Sequence, residues 1–165
     1  MKLHQLELSA QQRHLLLRLQ VRRPLGLWAL RLVVAQEVTE SRLQLLGEMK
    51  AWAYGVPNGL QLDTMRVRPD APAGVGDLIW SAVMSWALEA TPCSRARLLA
   101  IYDNEYQHRR LVRYFEQRGF SHLRMLGTTP AGLLLRLVWG GTGELMGGDC
   151  RHVLAISERR WHRYG

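Results

Sequence analysis

The stretch VRPDAPAGVGDLIW, residues 67–80, runs from extended chain through a loop holding Gly74 and Gly76 into an apolar-periodic helix. A junction of this kind suits a phosphate. The first turn of a helix leaves backbone N–H groups unpaired and carries partial positive charge. Gly74 and Gly76 let the chain turn sharply and let an anion approach the backbone closely. Two neighbours oppose this. Pro72 has no N–H to donate, and Asp77 sets a carboxylate in the first turn, where it suits the dipole but repels a bound diphosphate. Gly74, Val75 and Gly76 still offer amides. Other chemistry has little support. Cys93 and Cys150 lie far apart and form neither a disulfide framework nor a metal-ligand spacing. No nucleophile-elbow motif supports Ser/His/Asp hydrolysis.

The elements that must position this loop follow from pattern. Residues 2–8 read as a short strand, with Ser9 and Gln12 as the capping box of a helix that runs to about Arg22 and closes at Pro24. Residues 27–38, 42–54 and 60–67 are rich in β-branched and aromatic residues and form an antiparallel meander through the turns TES and GVPNG. After the loop, Val75, Leu78, Ile79, Ala82, Val83 and Trp86 share one helical face. Residues 96–102 follow as a buried strand, so a crossover helix makes them parallel to 60–67. A helix over 104–120 ends at Gly119, and strands at 122–126 and 132–139 close the pattern. From Gly140 the tail reads as a glycine-rich loop, then as either a short basic amphipathic helix or a poorly ordered terminus. Trp52, Trp80, Trp86 and Trp139 read as core, Trp28 and Trp161 as surface.

The 165 residues, 47% hydrophobic and 22% charged, describe one globular domain over 1–140 with a tail over 141–165. No apolar run approaches the roughly 20 residues of a membrane helix. The first residues mix Glu7, Gln11, Gln12 and Arg13 among leucines, unlike a secretory signal, so a cytoplasmic setting is expected. A formal charge of +8 favours an acidic partner: nucleic acid, an anionic membrane surface, an acidic protein or a polyphosphate cofactor. HRRLVRYF, 108–115, has the residue types of a nucleic-acid helix, but no helix-turn-helix or RNP-like pattern accompanies it, so nucleic acid is the weaker alternative.

A meander, then strand–glycine loop–helix, then strand–helix–GF–strand–strand, resembles the GNAT acyl-CoA N-acyltransferase superfamily over roughly residues 27–139. LDTMRVRP (62–69) looks like that family's fourth strand, APAGVG (71–76) like its acyl-CoA pyrophosphate loop, and LVRYFEQRGF (111–120) like its tyrosine-bearing helix. The resemblance implies a mixed α/β fold with a splayed central sheet. It implies acetyl-CoA as cofactor, held by backbone around Met65, Arg66 and Val67 and by Ala73, Gly74, Val75 and Gly76. Ala71 replaces the family's Gln or Arg. The family's tyrosine falls on Phe115, with Tyr114 adjacent and about 100° away around the helix. Its asparagine position falls near His108, with Asn104 one turn upstream. Asp63 matches the general-base position, or is an exposed strand acid paired with an arginine.

The implied activity is acetyl transfer from acetyl-CoA to an amine. In the family two helices between the first two strands wall the acceptor site. Here about one fits, which suits a protein or peptide acceptor. The alternative is a degenerate GNAT-type domain that docks an acidic macromolecular partner. The transferase reading requires room beside Val75.

Overall fold

Leu3, Leu6 and Ala10 recur at helical spacing, and the computed structural model places them on the first helix, α1 (Leu3–Gln12). The structure describes residues 1–101, 105–126 and 143–164. The Lys2 amide donates to Gln5 Oε1 at 2.9 Å, so α1 is capped there rather than at Ser9. His14, with φ 60°, turns the chain into β1 (Leu15–Arg22). Leu15 and Leu17 are buried while Arg18, Gln20 and Arg22 are exposed, which is strand alternation. The expected strand at 2–8 and helix at 9–22 are therefore replaced by a helix followed by a strand. The unbroken leucines at 15–17 hid the period of two.

Downstream, the pattern holds as read. β2 (Trp28–Thr39), β3 (Arg42–Ala53) and β4 (Leu60–Val67) form the meander, α2 (Val75–Ala90) crosses over, and β5 (Arg95–Ile101) runs parallel to β4. α3 (Glu105–Glu116) leads to β6 (Ser121–Leu126). From Gly143 on, the glycine-rich tail is not a loop. It contains β7 (Gly143–Asp149), inserted between β5 and β6 in the seven-stranded order β1-β2-β3-β4-β5-β7-β6. Two of its glycines pack closely: a Cβ on Gly147 would lie 2.9 Å from Leu123 Cδ1, and one on Gly148 would lie 3.0 Å from Phe120 Cδ1 and 3.1 Å from the Gly119 carbonyl oxygen. α4 (Cys150–Arg163) follows at once, its N-terminus capped by Asp149, whose Oδ1 accepts from the His152 amide at 3.0 Å. The expected strand at 132–139, with Trp139, lies outside the described residues.

The core lies between one face of the sheet and the helices. Leu6 and Ala10 of α1, Leu78 to Ala87 of α2, and Val153 and Trp161 of α4 pack over Leu17, Leu32 and Val34. Trp161, expected at the surface, is fully buried; its Nε1 donates to Ser9 Oγ at 2.9 Å and Arg13 stacks 3.6 Å over its ring. Trp52, expected in the core, is 39% exposed on the other face of the sheet. Only the turn Pro24–Gly26 joins β1 to β2, and no described helix covers the outer face of β1–β4. Among the described residues no helix is long and apolar enough to cross a membrane.

Candidate active site

β4 and β5 pair only at Leu60↔Ala96 and Gln61↔Arg97, and then part. Beyond Gln61 the β5-facing edge of β4 has no strand partner among the described residues. The divergence coincides with a bulge. On the β3 side Lys50 pairs with Thr64 and Ala51 with Leu62, so Asp63 is an extra residue that bends β4. Asp63 is exposed and lines two spaces at once. One is a narrow cleft of about 50 Å³ between the parted strands, walled by Leu62, Met65, Trp80, Leu98 and Phe115. The other is an open basin of about 520 Å³ on the uncovered face, bordered by Gln20, Arg22, Arg31, Lys50 and Trp52.

The loop reaches the cleft from the helical side. Gly74 adopts φ +93°, a left-handed conformation, as the N-cap of α2, and no side chain caps that terminus. The Leu78 amide donates to Gly74 O at 2.8 Å, which starts the helix. A Cβ on Gly74 would meet Tyr164 Cδ2 at 2.8 Å and Trp161 Cε3 at 3.1 Å, so α4 closes the loop on this side. Val75 is buried with its side chain against Gly47 of β3, so the room that the transferase reading expected beside Val75 is not there; the open side of the loop lies one residue on, at Gly76. Ala73 is exposed and Gly76 half-buried. A Cβ on Gly76 would make only ordinary contacts, 3.6 Å from Tyr114 Oη and 3.7 Å from Met65 Cε.

A polar network the sequence reading missed sits in this first turn. Asp77 is 5% exposed, and its Oδ1 accepts from Arg118 Nη2 at 3.4 Å. Arg118 stacks 3.7 Å over the Tyr114 ring, and its Nε has no hydrogen-bond partner. Tyr114 Oη accepts from Trp80 Nε1 at 3.0 Å. Burial raises the Asp77 carboxyl above its ordinary value, against the opposing pull of Arg118 and Arg160. Burial also raises the Tyr114 phenol, against Arg118, and so keeps it protonated. The signal available in sequence was Arg118 itself, next to the helix-ending Gly119. Its partner across 41 residues was not legible.

The candidate residues are thus brought together in part. Asp63 and Met65 line the cleft; Arg66 and Val67 are exposed further along β4, paired in register with Glu48 and Gly47. Ala73 to Gly76 form the loop and first turn of α2. On α3, Phe115 faces the cleft, while the Tyr114 hydroxyl stands beside Gly76. His108 is half-buried on the same helix. Asn104 lies outside the described residues. No side chain caps the first turn of α2, which leaves the Gly76 amide facing the open side of the loop, while the Val75 amide already donates to Pro72 O at 3.4 Å. Asp77 opposes an anion there, but its charge is already answered by Arg118.

The element order and the split between β4 and β5 define a GNAT-type fold. Among solved structures, a nourseothricin acetyltransferase superposes with a TM-score of 0.52 over 83% of this chain and 88% of that one, at 13% identity. AAC(6')-Ib in complex with parmomycin and acetyl-CoA gives 0.47 over 75% and 66%, also at 13%. An uncharacterized protein from Bacillus halodurans gives 0.48 over 82% and 64%, again at 13%. No protein-family model matches the sequence, and no curated protein does. At such identity the shared property is the fold.

Proposed function

We propose that the protein transfers an acetyl group from acetyl-CoA to an amine of a protein or peptide. The observation that carries this reading is the position of Asp63, whose bulge sets one carboxylate at the junction of the open basin and the cleft. An acceptor in the basin would present its amine to Asp63, which takes the proton directly or through one water. The unpaired edge of β4 at Met65, Arg66 and Val67 would hold the amide-bearing arm of coenzyme A. The amides of Ala73, Gly74 and Gly76, and that of Val75 once its bond to Pro72 O opens, would hold its diphosphate, with Arg160 adding positive charge while Arg118 offsets Asp77. When bound, acetyl-CoA supplies an activated thioester. From α3, Tyr114 and His108 are the proposed proton donors, and Asn104 belongs to the proposed cofactor set. Backbone amides can stabilise the oxyanion.

A second reading, a GNAT-type domain that docks an acidic partner without chemistry, draws on two observations. The cleft is narrowed to about 50 Å³ by Trp80 and Phe115, and Tyr164 lies over Gly74. Tyr164 is 51% exposed at the end of α4, so it can swing aside. Calorimetric titration with acetyl-CoA separates the two. Saturable binding, with acetylation of an amine that Asp63→Asn removes, supports the transferase. No binding at millimolar acetyl-CoA, either by the natural chain or by Tyr164→Ala, selects the second reading.

A further inference from the structure

The uncovered face of β1–β4 carries an arrangement that the sheet itself does not explain. In register, Gln20, Arg31, Lys50 and Thr64 form one row across the four strands, and Arg22, Ala29, Trp52 and Gln61 form the next. Arg31 and Lys50 are therefore directly opposite one another, a like-charge pair of the kind that destabilises a sheet. Glu48 answers Arg31 at 3.2 Å. Neither Lys50 nor Arg22 has an ion-pair partner among the described residues, and both are exposed. Asp63 adjoins Thr64 at the β4 end of the first row, and in the second row the half-open indole of Trp52 lies two strands from Arg22, with Ala29 between them. Asp63, the one acid among the described residues that line the basin, faces Lys50, Arg31 and Arg22 across it, which matches a substrate with positive charge at one end and negative charge beyond it.

We infer that this face docks an acidic peptide in extended form, its free amine at Asp63 and its acidic side chains along Lys50, Arg31 and Arg22. The inference rests on the transferase reading for the role of the amine. Strands lie about 4.8 Å apart, so β4 to β1 spans roughly 14 Å, the reach of about four extended residues. The acidic side chains then belong at the second to fourth positions after the amine. The open face also favours a polypeptide over a small molecule, which a pocket would enclose almost completely.

The test uses the full chain and three peptides with a free N-terminus, carrying acidic, neutral or lysine residues at positions two to four. Binding without acetyl-CoA is read by fluorescence anisotropy, and acetyl transfer with it by mass spectrometry. The acidic peptide is expected to bind about ten-fold more tightly than the lysine peptide, more weakly as salt rises, and to be acetylated with a matching advantage in kcat/KM. The double variant Arg22→Glu/Lys50→Glu should reverse the preference. Arg22→Gln/Lys50→Gln should abolish it, with thermal melting unchanged or raised in both variants, because each relieves the Arg31–Lys50 repulsion. Equal binding of all three peptides, or a preference that survives both double variants, overturns the inference. So does tighter binding of a single-stranded oligonucleotide that displaces the acidic peptide. Acidic-peptide binding that obeys these variants but yields no acetylation keeps the docking face and rejects the transferase. Acetylation indifferent to charge does the opposite.

Discussion

Gly74 and Gly76 are two residues apart in one loop, yet the same substitution should have opposite effects on stability. Gly74 has φ +93°. An alanine there carries about 1–2 kcal/mol of left-handed strain. Its Cβ would also lie 2.8 Å from Tyr164 Cδ2 and 3.1 Å from Trp161 Cε3. Tyr164 is at the helix end and can yield, but Trp161 is fully buried and cannot. Crowding of that kind adds about 1–3 kcal/mol, so Gly74→Ala should lose about 2–5 kcal/mol in all. For a chain of this size that lowers Tm by about 5–15 °C. Gly76 has ordinary helical dihedrals and room for a Cβ, with its neighbours at 3.6 and 3.7 Å. Gly76→Ala should therefore be neutral or gain up to about 1 kcal/mol. Urea denaturation of both variants measures the difference. Repeating Gly74→Ala in a Tyr164→Ala background should recover only about 1 kcal/mol, because the strain and Trp161 remain. A Gly74→Ala variant within about 0.5 kcal/mol of the parent would refute the packing of α4 on the loop. Equal losses at both glycines would refute the open space at Gly76.

Asp63→Asn should lower acetyl transfer by about 10²–10⁴-fold in steady-state assays while leaving the melting curve in place, since the side chain is exposed. Burial lifts the Asp77 carboxyl above 3.8, outweighing Arg118 and Arg160. A raised folded value means that its contribution to stability is complete below 3.8 and lost as pH rises through that folded value. Asp77→Asn should accordingly gain on the parent from about pH 4 upward in paired denaturation curves, and a trend of the other sign would contradict it. Trp161→Ala removes a fully buried ring, its bond to Ser9 and the Arg13 stack, and should cost about 3–5 kcal/mol by chemical denaturation. Both cysteines are buried, and the Cys150 thiol is pushed up to about 12 by burial. Thiol titration at about pH 8 should find neither reactive before unfolding.

Much of the fold was legible because its period is regular. β4, α2 and their neighbours followed from alternation and helical spacing, and the parallel pairing of β4 with β5 followed from the crossover between them. Misreadings fell where composition and context disagree. The leucines of β1 mask an alternation. The glycines of β7 signal a loop in isolation, but two of them pack closely against Phe120 and Leu123. Trp161 sits among basic residues in sequence, yet α4 turns it inward while Arg159 and Arg163 are exposed. Of the candidate site, the glycine loop and Asp63 could be named from residue type and the family resemblance. The bulge that aims Asp63 could not, because a bulge belongs to two strands together.

By itself the sequence determined the local elements, the glycine loop before α2 and the cationic surplus, since these depend on neighbours a few residues apart. Tertiary structure alone decided that Arg118 meets Asp77, that Tyr164 covers Gly74, and that Arg31 lies opposite Lys50 on an uncovered face. Each of those contacts joins residues distant along the chain. Their approach is set by strand register and helix packing, which no short stretch of sequence encodes.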